Sequence, residues 1–368
     1  MAEASKTATR RAHEVWVGVD THRDLNVAVS LDERGRKFGE LVVATTAAGN
    51  RELLTWARSL GADVRGFAVE GTGSYGASLT RCLQDAGEFV IEAGRPARRG
   101  DRQQRRARGK TDTIDAHRAA RSLLAEELEI APKTRSGNVE CLRILLVAKR
   151  SAIKARTQAV QGMRALLISA PDALRGQLRG AGMERLIDSC ARLRLGSTDG
   201  VGATTKAALR HLARRCRHLT EELAELDAEI QCLVRATAPN LLGLTGVGCG
   251  IAAVLLASAG ENAGRMRSEA GFAHMTGVAP LPTGSGLTSG RHRLNKGGDR
   301  QANSALWRIV IVRMRVDPRT REYVARRTAE GLGKKEITRC LKRYVAREVY
   351  RKLIAALGLA SGRAVPSA

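Results

Sequence analysis

VWVGVDTHRDLNVAVSLDERGRKFGELVVAT, residues 15–45, decides how the rest of the chain is read. An apolar run begins at Val15 and stops on Asp20. NVAVSLD (26–32) and KFGELVVAT (37–45) flank Glu33-Arg34-Gly35, a turn between two strands of a hairpin. Outward from there, NRELLTWARSLG (50–61) has helical spacing and a glycine stop. VRGFAVE (64–70) is a second apolar strand that ends on an acid. SYGASLTRCLQDAG (74–87) reads as a helix, EFVIEAG (88–94) as a strand, and the segment opening at Thr111-Asp112 as a further helix.

Three antiparallel strands, then helix–strand–helix–strand–helix, is the order of a ribonuclease-H-like fold. It predicts an α/β domain over residues 12–130. From about 135 to 237 strand signals almost vanish. LTEELAELDAEIQCLVRATAP (219–239) carries Leu223, Leu226, Ile230 and Leu233 at helical spacing, which predicts a helical linker, as a hairpin or a coiled coil. From 238 to 358 a third, mostly helical region is expected. LLGLTGVGCGIAAVLLASAG (241–260) is helix, Gly-Val-Gly turn, helix: a helix–hairpin–helix whose turn amides at Gly246 and Gly248 can hold a DNA phosphate. GVGCG lacks the preceding strand that a dinucleotide fingerprint needs. A Pro/Gly/Ser/Thr loop follows, then a helix, then the basic amphipathic segment 334–357. The fold class is therefore α/β plus all-α, with loose tails at 1–11 and 359–368.

The balance of 62 Lys+Arg against 37 Asp+Glu leaves a net charge of +25, which predicts a polyanionic partner, nucleic acid before a membrane surface. No run approaches about 18 consecutive apolar residues, so no membrane span is expected. The first residues, MAEASKTATRRAHEV, lack the apolar core of a signal peptide. The seven cysteines are scattered, form no CxxC pair and have no zinc spacing. They read as reduced thiols of a cytoplasmic protein.

Asp20 and Glu70 each close an apolar strand, where chemistry gathers in open sheets. Asp112 and Asp115 share one helix face at i, i+3. Clustered carboxylates repel one another unless neutralised, and two Mg²⁺ ions about 4 Å apart would do that and activate an attacking oxygen. Single acids of this kind are otherwise ordinary strand-end or helix-start charges; the four together carry the metal reading. His22 and His117 read as surface or outer groups. RPARRGDRQQRRARGK (95–110) holds eight basic side chains and one acid. Arg95, Arg98, Arg99, Arg102, Arg105, Arg106, Arg108 and Lys110 would hold phosphates without reading bases. Arg291, Arg293, Lys296 and Arg300 form a second basic group. Ser285, between two glycines ahead of them, is a candidate nucleophile, although Gly-Ser-Gly alone is more often a flexible loop. With aromatics at 3% of the chain, stacking is not expected as the main binding device.

VGVDTHRDLNVAVSLD, VEGTGSYGASL, GKTDTIDAHRAARSL, LTGVGCGIAAVLLA, GVAPLPTGSG and RHRLNKGGDRQANSALW together resemble the DEDD transposases of the insertion-sequence 110 type, the bridge-RNA-guided recombinases. EAGRPARR stands where many relatives have a strand followed by Asn-Pro. The resemblance implies a RuvC-like first domain, a helical linker and a C-terminal transposase domain. It carries metal binding onto Asp20, Glu70, Asp112 and Asp115, and the nucleophile onto Ser285, with Ser289 as competitor. It also implies DNA cut and rejoined through a serine–DNA bond, a non-coding RNA that pairs with donor and target DNA, and a tetramer. A metal-dependent junction nuclease that uses water, and a non-catalytic nucleic-acid-binding protein, are the alternative readings.

Overall fold

The computed structural model describes residues 14–60, 64–93, 111–125, 131–194, 200–262, 266, 268–282, 292–295 and 297–360. The basic run 95–110, Ser285, Ser289, Arg291 and Lys296 lie outside the described residues, as does nearly all of the two expected tails. The chain forms two compact units, 1–134 and 135–368.

The first unit is α/β. Strands β1 (Glu14–Thr21), β2 (Leu25–Leu31), β3 (Lys37–Ala44), β4 (Val64–Val69) and β5 (Phe89–Glu92) form one sheet in the order β3-β2-β1-β4-β5. The β1–β2 and β2–β3 pairs are antiparallel. β4 joins β1, and β5 joins β4, in parallel. Helices α1 (Ala47–Ser59), α2 (Ala77–Asp85) and α3 (Asp112–Leu124) accompany the sheet among the described residues.

Strand periodicity sorts the two faces of β1. Val15, Val17 and Val19 point into a core with Leu53 of α1 and Leu79 and Leu83 of α2. Trp16, Gly18 and Asp20 belong to the opposite face, which α3 covers with Ala116, Ala119, Ala120 and Leu123. The approach of α3 is unusually close. A Cβ on Gly18 would lie 2.0 Å from the Ala116 carbonyl oxygen and 2.3 Å from the Ala120 amide nitrogen. Only glycine on the strand, facing alanines on the helix, permits this contact. It sets the start of α3 beside the end of β1.

Among the described residues the second unit is helical except for one two-stranded ribbon. Its helices are α4 (Gly137–Ile168), α5 (Asp172–Leu178), α6 (Met183–Ala191), α7 (Val201–Thr237), α8 (Pro239–Leu242), α9 (Cys249–Ala259), α10 (Glu269–Met275), α11 (Arg300–Val316), α12 (Pro318–Ala329) and α13 (Lys334–Ala360). The long helices α4 and α7 pair within the chain. Lys149 pairs with Asp227, Arg156 donates to Thr220, and Gly162 faces Leu212, so the two run antiparallel. Leu223, Leu226 and Leu233 are only half-buried, while Ile230 and Val234 reach the core. At the far end α5 and α6 close a small core of Leu174, Leu186, Ile187 and Cys190 against Met163 and Leu209.

The larger core gathers α9, α11 and α13 around Phe272, Leu256, Ile309 and Val349. Strands β6 (Pro280–Pro282) and β7 (His292–Leu294) pair antiparallel, with Leu281 opposite Arg293. From its Pro/Gly/Ser/Thr composition this stretch is expected to be a loop. Two prolines in a three-residue strand remove the ladder donors and hide the signal.

Candidate active site

Three acids named from the sequence come together in the first unit. Asp20 closes β1 and is 5% exposed. Asp112 and Asp115 occupy the first turn of α3, where the N-cap Thr111 side chain accepts from the Ile114 amide. Acids suit this turn because the peptide dipoles present positive charge there. Gly18 brings that turn to Asp20. The closeness has an electrostatic signature: burial pushes the Asp20 carboxyl above the usual carboxylate range, and the Asp115 and Asp112 charges push it further, while His22 pulls the other way.

Glu70 follows β4 directly. The parallel register sets Val19 opposite Val69, so Asp20 and Glu70 leave neighbouring strands side by side. The Glu70 amide donates to the Val19 carbonyl at 2.9 Å, and Thr21 Oγ1 donates to the Glu70 carbonyl at 2.7 Å. Gly71, at φ 68°, turns the chain away, and Ser74 and Gly76 return amide hydrogen bonds to its carbonyl.

The tightest set of potential ligands among the described residues is Asp20, His22 and Asp112, whose ligand atoms lie within 4.8 Å of one another. His22 Nε2 is 3.1 Å from Asp20 Oδ2 and 3.2 Å from Asp112 Oδ1. His22, expected from the sequence in an outer role, lies closer than that; the signal for it is its spacing, since residues 20 and 22 share one side of an extended chain. Asp115, with its side chain 10% exposed, pairs with Arg118 Nη1 at 3.3 Å. For His117, burial and the charges of Arg121 and Lys37 hold the ring below the usual histidine range.

The helix–turn–helix at Gly246 and Gly248 is present as α8, a turn and α9. Gly246 has φ 86°, and a Cβ there would come within 3.1 Å of the Ile309 carbonyl oxygen, so it serves the turn and the packing on α11. Gly248 caps α9, whose first turn has no side-chain cap. Arg293 lies in β7, and Arg300 opens α11 behind its N-cap Asp299. All seven cysteines are free thiols, and burial raises those of Cys190 and Cys216. No described helix is long and apolar enough to cross a membrane.

Residues 17–170 match a family model described as transposase, of the DEDD IS110 type, and residues 238–325 match that of the transposases of the IS116/IS110/IS902 family. The first match encloses all four acids and the second encloses Ser285. A 42 kDa protein of insertion element IS900 from Mycobacterium paratuberculosis is 25% identical over 87% of this chain and 90% of its own. A 44.8 kDa protein of IS116 from Streptomyces clavuligerus is 25% identical over 88% of this chain and 90% of its own. A 43.6 kDa protein of IS110 from Streptomyces coelicolor is 32% identical over 33% of this chain and 30% of its own.

Proposed function

The chain belongs to the IS110-type DEDD transposases, enzymes acting on DNA, and from that premise we propose that it cuts and rejoins insertion-sequence DNA through a serine–DNA bond, with a non-coding RNA choosing the sites. The observation that carries the catalytic half is the crowding of carboxylates at the end of β1: Asp20 is buried, and Asp112 and Asp115 both raise its proton affinity. Like charges in a desolvated place call for a cation. Carboxylate oxygens suit a hard divalent ion, by family pattern Mg²⁺. Asp20, Asp112 and Asp115, with Glu70 on the adjoining strand end, would hold it in an RNase-H-like domain of the RuvC type. Once held there, the ion would withdraw charge from a phosphoryl oxygen.

The residues of the chain divide the remaining work. His22 lies within hydrogen-bond reach of Asp20 and Asp112, where it orients both carboxylates. Ser285 Oγ would attack the phosphorus: the Oγ–P bond forms as the P–O3′ bond breaks, the serine gives up its proton and the 3′ oxygen gains one. The 5′ phosphate then stays on the serine, and a new 3′ hydroxyl reverses the step to rejoin DNA. The basic residues at 95–110, with Arg291, Arg293, Lys296 and Arg300, would hold nucleic-acid backbones, and base pairing by the RNA would supply sequence choice. A homo-oligomer, a tetramer by resemblance, would assemble around that RNA.

The test is strand exchange with the native RNA and both DNA substrates. Ser285→Ala should abolish exchange and leave RNA binding intact. Exchange at the wild-type rate by that variant would contradict the serine mechanism and favour direct attack by water.

A further inference from the structure

The second unit contains a cleft of about 560 Å³ lined by Gly298, by Arg300, Asn303 and Trp307 of α11, and by Arg339 and Lys342 of α13. No acid is among the described residues that line it. Lys342 is the only buried Lys or Arg among the described residues, at 8% exposure. Its ammonium donates to Asn303 Oδ1 at 3.1 Å. Asn303 Nδ2 donates to the Thr276 and Gly277 carbonyls at 2.8 and 3.1 Å, so the amide oxygen is held towards the lysine.

That amide is the only hydrogen-bond partner of Lys342 among the described residues, and it is neutral. No described carboxylate pairs with it. Burial, and then the like charge of Arg339, hold the amine below the usual lysine range. Enclosing an ammonium without a counter-charge is unfavourable, and a hydrophobic residue would serve the packing better. An anion in the cleft gives the charge a purpose. The second feature is Trp307, whose large ring is 47% exposed beside three cationic side chains. An indole face at the surface is a stacking platform for a base. The cleft volume falls within the usual range for a small-ligand site.

We propose that this cleft binds one nucleotide of an unpaired nucleic-acid strand, with Lys342, Arg339 and Arg300 around its phosphate and Trp307 under its base. The proposal rests on nucleic acid being the partner of this chain, and not on the serine or metal chemistry. Binding is read without cleavage, so failure of the catalytic mechanism leaves it standing.

The experiment uses the full chain and a fluorescent single-stranded DNA titrated at several salt concentrations. Unlabelled RNA, duplex DNA and inorganic phosphate serve as competitors. Lys342→Met keeps the stem and removes the charge. It should weaken strand binding about tenfold or more and reduce the salt slope by about 1, with a melting temperature equal to or above wild type. Trp307→Ala, at an exposed position, should also cost about tenfold with the salt slope unchanged. Stronger competition by RNA assigns the strand to RNA and stronger competition by DNA assigns it to DNA; either supports the cleft. Wild-type affinity and slope in both variants would overturn it. So would competition by inorganic phosphate with no binding of either strand.

Discussion

The acid cluster of the first unit and the basic cleft of the second solve opposite problems with the same device. Each concentrates one sign of charge where the fold has removed water. At the end of β1, Asp20 is buried with Asp112 and Asp115 close by. In the cleft, Lys342 is buried with Arg339 close by. The supports differ. The acids stand on a strand end and a helix start locked by the Gly18 contact with α3, so their spacing is rigid. The cleft borders a short ribbon and the start of α11, and its anchor is one lysine held by one amide. Fixed spacing of the acids suits a small ion with set coordination, and a cleft with a buried lysine suits one nucleotide of a strand. A mixed α/β unit built around a five-stranded sheet thus carries the clustered acids, and a mostly helical unit carries the cleft.

This contrast can be broken most forcefully at the acids. Asp112→Ala should reduce DNA cleavage by about a thousandfold, several kcal/mol of barrier, while nucleic-acid affinity stays within a few fold, as gel shift and cleavage assays on the same preparation would show. Next in size is Gly18→Ala. The added methyl would meet the backbone of α3, so the helix must move, at a cost of about 3 kcal/mol in denaturant unfolding. Divalent-ion binding should weaken in parallel, because both acids of α3 shift with it. Thr111→Ala removes the N-cap of α3 and should cost about 1 kcal/mol, seen as faster amide exchange in the first turn of that helix.

The smallest effect concerns pH. Asp20 has a raised pKa in the folded chain, so without a divalent ion the native state takes up its proton before the unfolded state does. Its unfavourable contribution is fully present near neutral pH. It is lost as pH falls through the raised value and is gone below the ordinary 3.8. In chelator, Asp20→Asn should therefore be more stable than wild type near neutral pH, and the gap should close as the solution becomes acidic. Added Mg²⁺ should reverse the order, stabilising wild type alone. Thermal melts across pH, with and without the ion, measure both.

The sequence made much of the first unit legible, for physical reasons. Val15, Val17 and Val19 alternate with residues of the other face, and a half-covered strand must alternate that way. Thr111-Asp112 opens a helix because cap and acids satisfy its first turn. What escaped depends on contacts between distant residues. Gly18 looks like any strand glycine until Ala116 and Ala120 are seen against it. His22 faces Asp20 along its own stretch of chain, and α3 brings Asp112 to 3.2 Å from its ring nitrogen. Lys342 sits in a helix rich in Lys and Arg, and its burial comes from Asn303 and the packing of α11 on α13. The ribbon of β6 and β7 hid behind its prolines, and α5 and α6 behind scattered Gly and Arg.

The most direct measurement is mass spectrometry of the protein recovered from cells that carry the native locus, denatured and digested with nuclease. The account predicts a deoxynucleotide-phosphate adduct on Ser285 that disappears in Asp20→Asn. DNA cleavage with no adduct on any serine would contradict it and point to a metal-dependent nuclease that uses water.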